Sequence, residues 1–150
     1  MLRAGGIGVI LTSVSPGDLR WSDFQSALVE AGLPVDDLGE PGQHLFLSDS
    51  GAIGGIAVDG ANALFRSIMV PPAARQSGAG RRIVEALAQE AASRGASDGW
   101  LLTTDAAGFF TRCGFKLARR DAAPTFVRST RQFSGLCPAS ASFMHRALIV

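Results

Sequence analysis

Apolar positions along the chain follow two rhythms, and the switches between them mark the elements. Ile7 to Val14 (IGVILTSV) is rich in β-branched residues and predicts a first strand. Ser15-Pro16-Gly17-Asp18 is turn chemistry. Leu19, Trp21, Phe24 and Leu28 then give a helix an apolar face through about Ala31, where Gly32-Leu33-Pro34 stops it. Asp36 to Leu38 predicts one further short turn of helix. His44–Ser48 and Ala52–Val58 are strands joined by the tight turn Asp49-Ser50-Gly51, a hairpin signature. Asp59-Gly60-Ala61-Asn62 turns the chain again into a third strand, Ala63–Val70, ended by Pro71-Pro72. An antiparallel meander follows from this spacing.

The strongest helix pattern runs from about Gly78 to Arg94, with Ile83, Val84, Leu87, Ala88 and Ala91 on one face and Gly95 as its stop. Gly99–Thr104 is apolar enough for a strand covered on both faces. Asp105 is positioned as the N-cap of a short helix through Arg112. A strand over 114–118, a short helix over 124–131 and a last strand over 141–149 complete the pattern. No repeat or linker interrupts it, so residues 1–150 form one α/β domain in this reading.

Composition narrows the function classes. Hydrophobic residues make up 47% of the 150-residue chain and charged residues 18%, enough apolar content for a packed core. The net charge of +1 gives no field for nucleic acid or for an anionic membrane surface, so neither is expected as a partner. The positive charge is almost all arginine, the better fork for phosphate and carboxylate. Cys113, Cys137, His44 and His145 lack the spacing of zinc ligands, so no metal is expected, and unpaired cysteines fit a reducing, cytoplasmic setting. The run Ile7–Leu11 is too short to span a bilayer.

One stretch breaks the helix rules. ARQSGAGRRIVEAL, residues 74–87, opens the strongest helix with two glycines, poor helix formers. Glycines there remove Cβ atoms so that something can approach the backbone. Unpaired N–H groups at a helix start, with the helix dipole behind them, make an anion site. The P-loop signature fails because no lysine is present. The dinucleotide fingerprint fails because residue 83 is Ile where a third glycine belongs. A turn that only starts a helix needs neither the two-residue glycine spacing nor the flanking arginines.

The loop Arg75-Gln76-Ser77-Gly78-Ala79-Gly80, following a strand that ends in Val70-Pro71-Pro72, resembles the phosphate loop of the GNAT family of acetyl-CoA-dependent N-acyltransferases. Ala106 to Phe115 (AAGFFTRCGF) resembles the family's second motif, A-x-x-F-Y-x-x-x-G-F. The likeness covers about residues 7–118 in order of elements. It implies an α/β (α+β) fold whose mixed, mostly antiparallel sheet is splayed at the acetyl-CoA site and flanked by helices. It implies backbone N–H groups from Gln76 to Arg81 on the pyrophosphate, with Arg75, Arg81 or Arg82 neutralising charge. Ile68, Met69 and Val70 would pair with the pantetheine arm, Thr103 would face the thioester across the gap, and an N–H near Met69 would stabilise the oxyanion. Acetyl-CoA enters as co-substrate, and the acceptor is a small-molecule amine. A homodimer is compatible with the resemblance.

Two family features are missing. The strand region Ile56-Ala57-Val58-Asp59 has no Glu, which leaves Asp59 as the nearest base, or as a plain turn residue. The chain has no tyrosine, and Phe110 stands where the leaving thiolate would be protonated. Ser67, Thr104 and Cys113 are substitutes, or packing residues. A non-catalytic acetyl-CoA-binding module and a protein N-acetyltransferase therefore stand beside a small-molecule N-acetyltransferase. The segment 124–141 (PTFVRSTRQFSGLCPASA) resembles a bacterial GNAT subgroup encoded in arsenic-resistance operons, and by association implies a resistance role. Arg128 and Arg131 lie three apart, and with Arg66 and Ser134 they are candidates for gripping an anionic acceptor, or for capping a helix in solvent. Cys137 is expected to be a small buried residue.

Overall fold

A computed structural model of the chain describes residues 2–4, 9–136 and 140–148. Eight strands form one sheet: β1 (Leu2–Ala4), β2 (Val9–Val14), β3 (Gln43–Ser48), β4 (Ile53–Asp59), β5 (Asn62–Met69), β6 (Asp98–Thr103), β7 (Lys116–Leu117) and β8 (Ser142–Ala147). Their order is β1-β2-β3-β4-β5-β6-β8-β7. Every neighbouring pair is antiparallel except β5 and β6. The parallel pair is the one bridged by a helical crossover, as parallel strands require. The meander of β3, β4 and β5 is the one the sequence predicts, while β1 is an addition.

The helices are α1 (Trp21–Glu30), α2 (Ala79–Ser93), α3 (Ala107–Arg112) and α4 (Thr125–Arg128). The face of α2 predicted from periodicity is the buried one: Ile83, Val84, Leu87 and Ala91 are at most 1% exposed. Each large aliphatic side chain there contributes about 1.5–3 kcal/mol by leaving water. The contact depends on Gly54 in β4, where an added Cβ would stand 2.5 Å from the Leu87 side chain. A missing side chain in the sheet thus sets how closely α2 lies on it. On the opposite face α1 packs Phe24 and Leu28 against Val14, Leu45 and Ile53. A third cluster joins α4, through Val127 and Ala123, to Leu64 and Phe143.

Several local expectations are corrected. Leu19 is fully exposed, because the turn before α1 is fixed by the Asp18 carboxylate, which accepts from the Arg20 backbone and guanidinium. Those hydrogen bonds hold the Asp18 pKa down at about 2. Residues 36–38 make turns closed by Leu38 N–H to Val35 O and Glu40 N–H to Asp37 O rather than a helical turn. The helix expected over 124–131 ends at Arg128 and is followed by a π-turn over Gln132–Leu136. Cys137 lies outside the described residues. Among the described residues no helix is long and apolar enough to cross a membrane.

Candidate active site

The sheet opens at its centre. β5 and β6 pair at Asn62↔Asp98, Ala63↔Gly99 and Leu64↔Trp100, then separate. Beyond Leu64 one strand continues to Met69 and the other to Thr103, while β6 keeps β8 as its neighbour along its whole length. The wedge left between them is the floor of a cavity of about 910 Å³. That is the upper range of small-molecule and cofactor sites. Phe65 to Ile68 and Val70 line one side, Leu101 to Ala106 the other, and Phe109 and Phe110 the end.

The head of α2 closes one end. The first helical hydrogen bond runs from Arg82 N–H to Gly78 O, so the N–H groups of the first turn have no acceptor within the helix. Gln76 and Gly78 are both left-handed, with φ of 66° and 83°. Alternation of that kind turns successive N–H groups to one side and makes an anion-binding concavity. Arg75 anchors the loop to the end of β5, its Nε donating to Val70 O at 3.1 Å. Arg82 clips the loop from the other side, Nη1 donating to Ser77 O at 3.0 Å, and is not among the residues lining the cavity. Arg75, Gln76, Gly78, Gly80 and Arg81 line the cavity. Ser77 and Ala79 do not: the Ser77 hydroxyl donates to Ala74 O and the Ala79 side chain is buried.

The two glycines have different physical reasons. Gly78 is required by its left-handed backbone, the helix N-cap here. Gly80 is required by packing: an added Cβ would lie 3.0 Å from the Phe109 ring and 3.3 Å from Val70. The close approach inferred from sequence is therefore made, at Gly80, by the second motif itself.

β5 carries a bulge at the wedge. Gly55 pairs with Arg66 and Ile53 with Met69, so Ser67 and Ile68 both face Gly54. Ser67 is the extra residue, left-handed at φ 57° although not a glycine. On either side the alternation is regular: Phe65, Ile68 and Val70 pack toward α2, Met69 toward α1. The Met69 side chain is accordingly absent from the cavity wall, and the role expected of Met69 is one for its backbone N–H. The distortion of the backbone falls at Ser67–Ile68, just before it.

Arg66 sits under the loop 32–43 in a dense set of contacts. Its side chain is 1% exposed and pairs at 2.6 Å with Asp37, 3% exposed. Nε donates to Ser67 Oγ at 2.9 Å, Nη1 to Gln43 Oε1 at 3.3 Å and Nη2 to Pro34 O at 3.1 Å. Its stem crosses Gly55, where a Cβ would meet it at 3.3 Å. Arg66 lines the cavity, as expected, but its charge is balanced. Arg75, Arg81 and Arg112 also line it, against Asp105 as the lining carboxylate, and none of those three arginines forms an ion pair among the described residues.

The remaining predicted residues divide. Thr103, Thr104, Ile68, Val70 and Phe110 line the cavity. Phe110 is 7% exposed, with edge contacts to Phe109 and Phe115 at 5.1 and 6.0 Å between ring centres. Asp59 does not reach the site. It is at the β4–β5 turn opposite Asn62, the far end of β5 from Met69, roughly 20 Å away at strand spacing. Arg128 caps its own loop, donating to Ala123 O and Asp121 O at 2.9 and 2.7 Å. Arg131 pairs with Glu40 on the surface, and the Ser134 hydroxyl donates to Thr130 O at 2.9 Å. The segment reaches the cavity instead through Gln132, which is 5% exposed. Cys113 is buried and off the cavity wall, and burial raises its thiol pKa. Asp105 is a lining residue and not a cap: Ala106 is the N-cap position of α3, and its N–H donates to Thr103 Oγ1 at 3.1 Å. Among the described residues no group of His, Cys, Asp and Glu could hold a metal ion.

Asp37 was detectable in principle. An arginine inside the apolar run Leu64-Phe65-Arg66-Ser67-Ile68 demands a buried partner. Gln132 carried no such signal, because a π-turn follows neither helical nor strand periodicity.

A family model described as an acetyltransferase (GNAT) domain matches residues 41–117, just over half of the chain. The chain belongs to the GNAT acetyltransferase family, whose co-substrate is acetyl-CoA. Solved structures agree in fold. An N-acetylglutamate synthase from Neisseria gonorrhoeae, complexed with coenzyme A and N-acetyl-glutamate, superposes with a TM-score of 0.73 at 16% identity, over 94% of this chain and 36% of that one. This chain therefore spans about a third of that enzyme's length. A GNAT acetyltransferase from Staphylococcus aureus gives 0.71 at 14% identity, over 94% and 99%. An aminoglycoside 6'-N-acetyltransferase complexed with coenzyme A gives 0.66 at 17%, over 94% and 98%. Among curated protein sequences none matches.

The residues at the head of α2 fit a nucleotide-linked diphosphate: N–H groups without helical partners, a left-handed glycine lining the wall, and the arginines Arg75 and Arg81 beside them.

Proposed function

We propose that this protein transfers the acetyl group of acetyl-CoA to the primary amine of a small molecule. The observation that carries this reading is the wedge between β5 and β6 opening onto the N–H groups at the head of α2. An anion site and a sheet gap lie along one continuous cavity, so a diphosphate at one end aims a thioester at the other. Acetyl-CoA supplies the activated carbonyl. The chain's residues position it, with Ile68 and Val70 on one side and Thr103 and Thr104 on the other, and exclude water with Phe109 and Phe110.

The acceptor enters from the wall made by Gly32, Leu33, Pro34, Arg66 and Gln132. Amino-acid-like acceptors are the first class to test, because the structurally similar N-acetylglutamate synthase is complexed with an acetylated amino acid and the lining arginines Arg75, Arg81 and Arg112 outweigh the lining carboxylate Asp105. The resemblance of residues 124–141 to the arsenic-operon subgroup extends the panel to toxic amino-acid analogues. An alkyl amine with a pKa near 10.4 is mostly protonated at neutral pH, and Asp105 replaces Asp59 as the candidate to take its proton. A second reading, an acetyl-CoA-binding module without turnover, is favoured by Phe110 standing where a hydroxyl would protonate the thiolate.

Thiol release from acetyl-CoA, measured with and without a panel of amines, tests the first reading. Release that requires one of the amines supports it. Coenzyme A binding by calorimetry with no release supports the second reading, and no binding contradicts both.

A further inference from the structure

We propose that the Ser67 hydroxyl donates a hydrogen bond to the reacting carbonyl oxygen, primed for this by Arg66. The inference rests on the reading of the cavity as the acetyl-transfer site. It starts from a conflict in β5. A non-glycine residue held at φ 57° is in a strained conformation. A glycine would remove that strain, and this chain, with 18 glycines, keeps serine.

The bulge that imposes this conformation places the side chain. Ser67 is the residue inserted between Arg66 and Ile68, it is 7% exposed, and it lines the cavity where β5 and β6 part. The proton inventory then fixes which way the hydroxyl works. The Arg66 Nε–H can only donate, and it donates to Ser67 Oγ at 2.9 Å. The Ser67 oxygen is thus an acceptor toward Arg66, and its own hydrogen must point elsewhere. Among the described residues Ser67 Oγ donates to no acceptor, and the open direction is the cavity.

Arg66 cannot rotate away. Asp37, Gln43 and Pro34 hold its other nitrogens. A hydroxyl that receives a bond from a cation is polarised and becomes a stronger donor. Beside the bulged backbone, such a donor is placed for a carbonyl oxygen that gains negative charge as the amine attacks. No proton is transferred: the hydrogen stays on Ser67 and the bond shortens as charge develops.

The test is Ser67→Gly, with Ser67→Ala alongside. Glycine removes the hydroxyl and the strain together; relief of the strain offsets part of the loss of the acceptor for the buried Arg66 Nε–H, so folding is retained. Alanine removes the hydroxyl and keeps the strain. The primary readout is isotope-edited infrared spectroscopy of carbonyl-labelled acetyl-CoA on the full chain. The wild type is expected to shift the carbonyl stretch below its value in water, and both variants to return it toward that value. Affinity for coenzyme A, which lacks the carbonyl, should stay within about twofold, and kcat should fall by about a hundredfold at similar KM, the size of a lost oxyanion donor. An identical carbonyl stretch in wild type and Ser67→Gly overturns the role of Ser67 and leaves the transferase reading standing. A wild type that binds neither ligand overturns both.

Discussion

The cavity has two walls of opposite make. The wall proposed for the diphosphate, Arg75–Arg81 and the head of α2, is built from backbone: two left-handed residues, a glycine N-cap and N–H groups without acceptors in the helix. The wall proposed for the acceptor, Gly32–Pro34 with Arg66 and Gln132, is built from residues brought together across the sequence. Asp37 and Arg66 are 29 positions apart by number, and Arg66 reaches Pro34 and Gln43 across 32 and 23. The first wall is specified by consecutive residues whose types are restricted by φ and by space. The second is specified by packing. A backbone site survives most side-chain changes outside its glycines, whereas a side-chain site fails when one partner is removed.

That contrast orders the expected effects. Asp37→Ala leaves a buried guanidinium unpaired and should cost about 3–5 kcal/mol in denaturant unfolding. Replacing both partners together (Asp37→Leu with Arg66→Met) should recover most of it. A double replacement as unstable as the single would show that the acceptor wall does not depend on the pair. Gly78→Glu puts charge and bulk where the diphosphate belongs, and coenzyme A affinity by calorimetry should fall at least a hundredfold, about 2.7 kcal/mol. Gly78→Ala, which adds strain without charge, should lose much less affinity. Equal losses would mean that loop shape, rather than the anion, was being measured.

Gly80→Ala pushes a methyl into the Phe109 ring and should destabilise by about 1–3 kcal/mol. Phe109→Leu in the same chain should restore part of it, read as coupling in a double-mutant cycle. Arg131→Ala removes only a surface pair with Glu40 and should change neither KM for the acceptor nor the melting temperature measurably. A large rise in KM would return Arg131 to the acceptor site.

A small effect concerns pH. Burial first, and the nearby Arg94 second, lower the His44 pKa, with Glu90 opposing. The folded pKa lies below the unfolded one, so the unfolded chain takes up the proton more readily. The contribution is complete above about pH 6.5 and declines as pH falls through and below it. His44→Gln should flatten that part of a stability–pH curve. A curve unchanged by the substitution would remove His44 from the account.

The same contrast explains what the sequence made legible. Gly78, Gly80 and the periodic face of α2 are local signals, and each has a local cause. The parting of β5 and β6 followed from the family resemblance and matches the short parallel register at Asn62–Leu64. Asp59 failed because a carboxylate in a turn says nothing about which end of the sheet the turn occupies. Arg128 and Arg131 failed because helical spacing was extended past Arg128, where the chain changes to a π-turn that directs Gln132 inward. Ser67 is legible in the sequence only as one of three substitute proton donors, and its bulge is not, since a bulge depends on register with β4 and not on the local run.

The central claim is tested most directly by a crystal structure with acetyl-CoA bound. The account predicts diphosphate oxygens within hydrogen-bond distance of the N–H groups of Gly78 to Arg81, and the thioester in the gap between Ser67 and Thr103. Acetyl-CoA bound elsewhere, with that gap filled only by solvent, would contradict it.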